Sequence, residues 1–158
     1  MISLDAFKKE LPQQLEGNES ACATLKGSAL YPYIQGIVRF YQLGEAVLVI
    51  AEVENLPEQT DCGSVFAFHI HEGNSCGGED FSDTKGHYNP SDCLHPYHAG
   101  DLPPLFGNGG TAWMAVQTNR FTVEEIEEHT VVIHERTDDF MTQPSGNAGR
   151  KIACGVIV

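Results

Sequence analysis

The run Val65-Phe66-Ala67-Phe68-His69-Ile70-His71 constrains the chain more than any other stretch. Its residues alternate with period two. Phe66, Phe68 and Ile70 share one face of a strand, and Ala67, His69 and His71 share the other. The apolar face has to be covered by a second layer. The opposite face carries two neighbouring imidazoles, each of which would need a hydrogen-bond partner in a core. That pair suits either two ordinary histidines on an exposed strand face or the beginning of a metal site.

The rest of the chain follows the same strand grammar from about residue 21. Gln35–Tyr41 is rich in β-branched and aromatic residues, Leu43-Gly44-Glu45 reads as a turn, and Ala46–Glu54 returns as a second strand, together a hairpin. Ala23–Lys26 is short and ambiguous, and further apolar runs are Thr111–Val116, Thr130–His134 and Ile152–Val158. Short strands with little convincing helix imply an antiparallel sandwich or barrel. Residues 1–20 stand apart as an N-terminal extension. There Ile2, Leu4, Phe7, Leu11 and Leu15 could line a short helix ended near Pro12, ahead of a domain spanning residues 21–158.

Composition narrows the partners. Nine Lys and Arg face 22 Asp and Glu, a net charge of −13. Phosphate binding draws on clustered cations, so nucleic acid is a poor partner, and anionic membranes are disfavoured for the same reason. The longest apolar run, Ala46–Ala51, is too short to cross a bilayer. The N-terminus has no basic segment followed by a long apolar stretch, so the reading is cytoplasmic unless a leader has been removed. Cys22, Cys62, Cys76, Cys93 and Cys154 cannot all pair internally, and either one disulfide or none fits. No C-x-x-C pair is present, which argues against a zinc ribbon or a thioredoxin-type motif.

Residues 72–110 form a long excursion carrying Gly73, Gly77, Gly78, Pro90, Pro96, Pro103 and Pro104. A structureless stretch of this length is usually functional or disordered, and its histidines favour function. His95, His98 and Asp101 lie in H-P-Y-H-A-G-D, a spacing at which one loop brings two imidazoles and a carboxylate around a zinc-sized cation. His87 and the H-x-H pair strengthen that reading. His134 ends the run Val131-Val132-Ile133 on the face of Val132; alone it equally fits a histidine satisfied at a strand end. His129, after Glu127-Glu128, reads as a solvated side chain.

Taken in order, His69-Ile-His-Glu, Gly86-His-Tyr-Asn-Pro, His98-Ala-Gly-Asp-Leu, Val132-Ile-His-Glu-Arg-Thr-Asp-Asp, Gly146-Asn-Ala-Gly and Ile152-Ala-Cys-Gly-Val-Ile resemble the copper–zinc superoxide dismutase family over about residues 21–158. The resemblance implies an eight-stranded antiparallel Greek-key sandwich or barrel, immunoglobulin-like in architecture, with long metal-binding loops. It implies copper at His69, His71, His87 and His134, and zinc at His87, His95, His98 and Asp101, with His87 shared by both metals. Asp138 matches the carboxylate that links a copper histidine to a zinc histidine, and Cys76 and Cys154 match an intrasubunit disulfide. Such a closure over nearly eighty residues contributes at most about 4–5 kcal/mol. The implied activity is disproportionation of superoxide to dioxygen and hydrogen peroxide, with His87 also supplying a proton, and a homodimer is a possible assembly. Superoxide dismutase is itself a standing example of electrostatically steered association. A net charge of −13 repels an anion, so the site has to be locally positive.

Three departures from the family pattern stand out. Lys151 occupies the position where an arginine usually guides the anion, and Arg150 stands one residue earlier. A lysine is a point charge without the planar fork of arginine, so looser anion docking is expected, or Arg150 takes the role. The gap between His95 and His98 is shorter than in the animal enzymes. The segment Gly77–Gly86 is longer, and is expected to cover the site or meet a partner. The alternative function is a non-catalytic copper- or zinc-binding domain of the same fold, which Lys151 keeps open.

Overall fold

The computed structural model describes residue 15 and residues 17–158. The helix read on residues 1–20 therefore falls almost wholly outside the described residues. The strands are β1 (Ala21–Gly27), β2 (Gln35–Leu43), β3 (Ala46–Glu54), β4 (Ser64–Phe66), β5 (Phe68–His71), β6 (Leu105–Gly107), β7 (Ala112–Thr118), β8 (Thr130–His134) and β9 (Lys151–Val156). Among the described residues one short α-helix, α1 (Val123–Ile126), begins with a capping box between Thr122 and Glu125.

Seven strands form one antiparallel sheet in the order β5-β8-β9-β1-β2-β3-β7, and β4 pairs with β6. The neighbours β9–β1, β3–β7 and β5–β8 leave chain order, as in a Greek key. Alternation decides which face turns inward. Val38 and Phe40 of β2, Val47, Val49, Ala51 and Val53 of β3, and Phe66, Phe68 and Ile70 all enter one core. Gly44, at φ 63°, makes the β2–β3 turn.

The run 65–71 is continuous in sequence but serves two partners. Phe66 is opposite Leu105 of β6, whereas Phe68 is opposite Ile133 of β8. Between them, Ala67 donates its N–H to the Arg136 carbonyl and accepts from the His134 N–H. Counting β4 and β5 as one strand that changes partner at Ala67 recovers the expected eight.

Cys76 and Cys154 are joined by a disulfide with a Cα separation of 5.8 Å, tying the excursion to β9. Cys22, Cys62 and Cys93 are free thiols. Removing the bridge with Cys76→Ser and Cys154→Ser together is expected to lower the unfolding free energy of the metal-free protein by about 2–5 kcal/mol. Urea unfolding measures this. A loss below about 1 kcal/mol would mean that the remaining bonds already hold the excursion in place.

Candidate metal centre

Strand geometry supplies the first set of side chains. His69 and His71 project from alternate positions of β5, on the face opposite Phe68 and Ile70, and His134 stands at the end of the neighbouring β8. The excursion then folds back along β5. Tyr88 N–H donates to the Ile70 carbonyl and Ile70 N–H to the Gly100 carbonyl, each at 2.8 Å. These bonds bring His87 opposite His71 and Asp101 opposite His69. Gly100 is needed there, because a side chain would run into the Ile70 carbonyl and Tyr88.

The result is two groups that share one ring. His69, His71, His87 and His134 form the first, and His87, His95, His98 and Asp101 the second; within each, one ligand atom per residue lies within 4.8 Å of the others. All six histidines are buried.

The outer hydrogen bonds decide which nitrogens face inward. His71 Nδ1 lies 2.9 Å from the Lys85 carbonyl and His134 Nδ1 lies 3.2 Å from the Gly149 carbonyl. A carbonyl only accepts, so each Nδ1 carries the proton and each Nε2 is left with a bare lone pair. Those two Nε2 atoms are 3.1 Å apart. Asp138 acts likewise on the other side: its oxygens accept from His69 Nε2 and His95 Nε2, both at 2.8 Å. That leaves His69 Nδ1 and His95 Nδ1 bare. Both are buried without a hydrogen bond, and so is His87 Nε2. His95 Nδ1 does lie 3.1 Å from Asp101 Oδ2, but without hydrogen-bond alignment. In the second group, His87 Nδ1 is 2.8 Å from Asp101 Oδ1 and 3.3 Å from His98 Nδ1. Lone pairs converging at these distances repel unless a proton or a cation lies among them, and nitrogen-rich sites of this kind suit copper and zinc.

The comparisons with known proteins agree. The family model for copper/zinc superoxide dismutase matches residues 34–157. The chain belongs to that family.

Its relatives include "Superoxide dismutase [Cu-Zn] 1" of Aquifex aeolicus, 34% identical over 137 residues, 77% of this chain and 79% of that protein. The mouse copper chaperone for superoxide dismutase is 30% identical over 159 residues, 91% of this chain and 54% of that protein. Among solved structures, a double mutant of a SOD-like protein from Bacillus subtilis superposes with a TM-score of 0.73 at 28% identity, covering 85% of this chain and 95% of that one. Copper and zinc are the cofactors of the family, and the two histidine-rich groups fit them.

Of the positions that sequence reading singled out, all seven ligand candidates and Asp138 gather in this centre. The cations beside it are engaged elsewhere. Lys151 Nζ lies 2.7 Å from Thr84 Oγ1, 3.1 Å from the Lys85 carbonyl and 3.4 Å from the Phe81 carbonyl. Arg150 is half-exposed, with Nε 4.0 Å from Asp80 Oδ2. Both thus meet Gly77–Gly86, which is built around the 3₁₀ turns of Glu79–Thr84. His129 lies outside both groups. It is half-buried rather than solvated, 2.9 Å from the Glu72 carbonyl and against the Tyr88 ring.

Sequence reading did not single out Gly146 for packing, although it opens the Gly146-Asn-Ala-Gly motif. At φ 68° it passes so close to Asp138 that a Cβ would collide with Oδ1 and press on His95 Nε2. Gly146→Ala is therefore expected to push Asp138 off both rings and weaken metal binding about 10–100-fold, as read by chelator competition. Unchanged affinity would mean that Asp138 does not orient the ligands.

Burial sets how the metal-free site titrates. It holds the His69 imidazole down to about 4, despite the Asp138 hydrogen bond, and His134 down to about 3, with neighbouring rings adding to the effect. In the unfolded chain both titrate near about 6.5. Below that pH the unfolded chain binds protons that the folded, metal-free protein refuses, so acid favours unfolding. Stability of the metal-free protein is expected to fall as pH drops from about 6.5 towards 4 and to level off below about 3. Urea unfolding across that range measures it, and His134→Gln should give a shallower fall. A flat profile would contradict the buried, neutral state of these rings.

Proposed function

We propose that the protein is a superoxide dismutase holding copper at His69, His71, His87 and His134 and zinc at His87, His95, His98 and Asp101, with the His87 imidazole bridging the two metals. The observation that carries this reading is the fate of the ring nitrogens. The outward nitrogens of His69, His71, His95 and His134 each have an oxygen partner, and the inward ones are bare or face another ligand atom. When bound, copper supplies the electron exchange, accepting one from a first superoxide and giving one to a second, while redox-silent zinc holds its ligands in place.

The protein residues do the remainder. Asp138 fixes the tautomers of His69 and His95 and raises the basicity of their inward nitrogens. His87 Nε2, buried and without a hydrogen bond, is a place where a proton can be kept when that nitrogen holds no metal. Lys151 and Arg150 provide the local positive charge that a chain of net charge −13 needs in order to attract an anion. Lys151 is tethered through its ammonium, so its charge is fixed in place, while the Arg150 guanidinium stays half-exposed and able to turn.

A second reading, a non-catalytic metal-binding domain, is favoured by Lys151 in the arginine position and by the likeness to a copper chaperone. Elemental analysis beside a superoxide assay on one preparation separates the two. Copper, zinc and rapid superoxide removal together support the enzyme. His134→Ala is expected to lose copper and turnover while remaining folded by circular dichroism. Undiminished activity in that variant, or zinc without copper after growth in ample copper, would defeat the enzyme reading.

A further inference from the structure

We propose that Arg120 and Gln143 are positioning residues for the second group: they clamp the main chain of loop 95–101 and so present His95, His98 and Asp101 to one ion. The proposal rests on the reading of that group as the zinc site. Neither side chain contacts a ligand atom; both act on backbone groups.

The loop needs such help. Among its own atoms it has few bonds: Asp101 N–H to the His98 carbonyl at 3.2 Å, and His98 N–H to Asp101 Oδ2 at 3.0 Å. Its carbonyls at Pro96, His98 and Asp101 converge on one point. Arg120 Nη1 sits there, 3.3 Å from each of the three oxygens. Three carbonyl dipoles pointing together repel, and a permanently charged guanidinium reverses the sign of that interaction.

Gln143 holds the other end of the loop. Its Oε1 accepts from the His95 N–H at 2.9 Å and its Nε2 donates to the His95 carbonyl at 2.7 Å. One amide thus satisfies both backbone groups of a single residue, as a neighbouring strand would. Arg120 follows β7, and Gln143 lies five residues past Asp138. The loop is therefore gripped by two separate parts of the fold.

The chemical consequence follows from ordering. A loop already held in its ligating conformation loses less freedom when the ion binds, so affinity rises without any new ligand. The first group gains less from this clamp, because three of its four members, His69, His71 and His134, are fixed on β5 and β8.

The test compares zinc and copper affinities of the full-length protein by chelator competition, together with thermal unfolding of the metal-free form. Both side chains are exposed, so substitution leaves the core intact. Arg120→Ala and Gln143→Ala are each expected to weaken zinc about tenfold while leaving copper within about twofold. Arg120→Lys should recover part of the zinc affinity, since the three oxygens surround a single nitrogen and an ammonium carries three donors, and Gln143→Glu should behave like Gln143→Ala because it cannot donate to the His95 carbonyl. Cobalt(II) in place of zinc should show an altered visible spectrum in Arg120→Ala. Zinc affinity unchanged in both alanine variants would overturn the clamp. Equal weakening of zinc and copper with a lower melting temperature would reduce it to a structural contact and also overturn it. Failure of the unsubstituted protein to bind zinc would instead overturn the zinc reading beneath it.

Discussion

A single buried carboxylate organises the centre. Asp138 is 3% exposed, and burial alone would raise its pKa. The His69 and His95 rings and the Phe140 N–H oppose this, each with a hydrogen bond no longer than 2.8 Å, and together they hold it well below the ordinary carboxylate range. A buried ion with three donors is tolerable where an unpaired one would not be. Because the carboxylate stays ionised it can only accept, so both rings must turn their N–H outward and their lone pairs inward. The tautomers of one ring on β5 and one on a loop are thus set by the same atom group, which keeps the two halves of the site in register.

The halves are supported differently. The first group stands on paired strands, with β5 against β8 in regular register from Phe68–Ile133 to His71–Thr130. Side chains on strands inherit the rigidity of the ladder. The second group stands on a loop laid across β5 by a few backbone bonds and tied to β9 at a distance by Cys76–Cys154. His87 belongs to both, so any looseness in the excursion reaches the first group through that ring. The Gly77–Gly86 segment bears on the same point, because the carbonyl of Lys85 within it accepts from both Lys151 and His71.

Much of this was legible in the sequence, and the reasons differ by element. Ala46–Glu54 is read at both ends because four alternate apolar residues enter one core and a glycine turn precedes it. β6 and α1 were not read, since three or four residues carry too little periodicity to stand out. The break at Ala67 was hidden because period two continues through it; only the change of partner from β6 to β8 reveals it. The histidines announced themselves by residue type, but their sorting into two groups came from resemblance, since spacing alone does not say that His69 meets a residue 65 positions later. Arg120 and Gln143 gave no signal at all. Their partners are backbone atoms, which carry no sequence pattern.

The energetics also bear on whether these histidines could be incidental. Each buried nitrogen without a partner costs about 1–3 kcal/mol, and His69, His87 and His95 supply three of them. That is a considerable share of the roughly 5–15 kcal/mol by which a domain is stable. The penalty lies in the metal-free state alone, because an ion that engages the lone pairs removes it, and the free energy of binding then becomes folding free energy. A sandwich with ornamental histidines would have no such return and would be better served by apolar residues in the same volume. The arrangement therefore makes physical sense as a centre built to be filled. What separates a carrier from a catalyst lies outside the ligand set, in how the positive charge of Lys151 and Arg150 meets an anion against the field of an acidic chain.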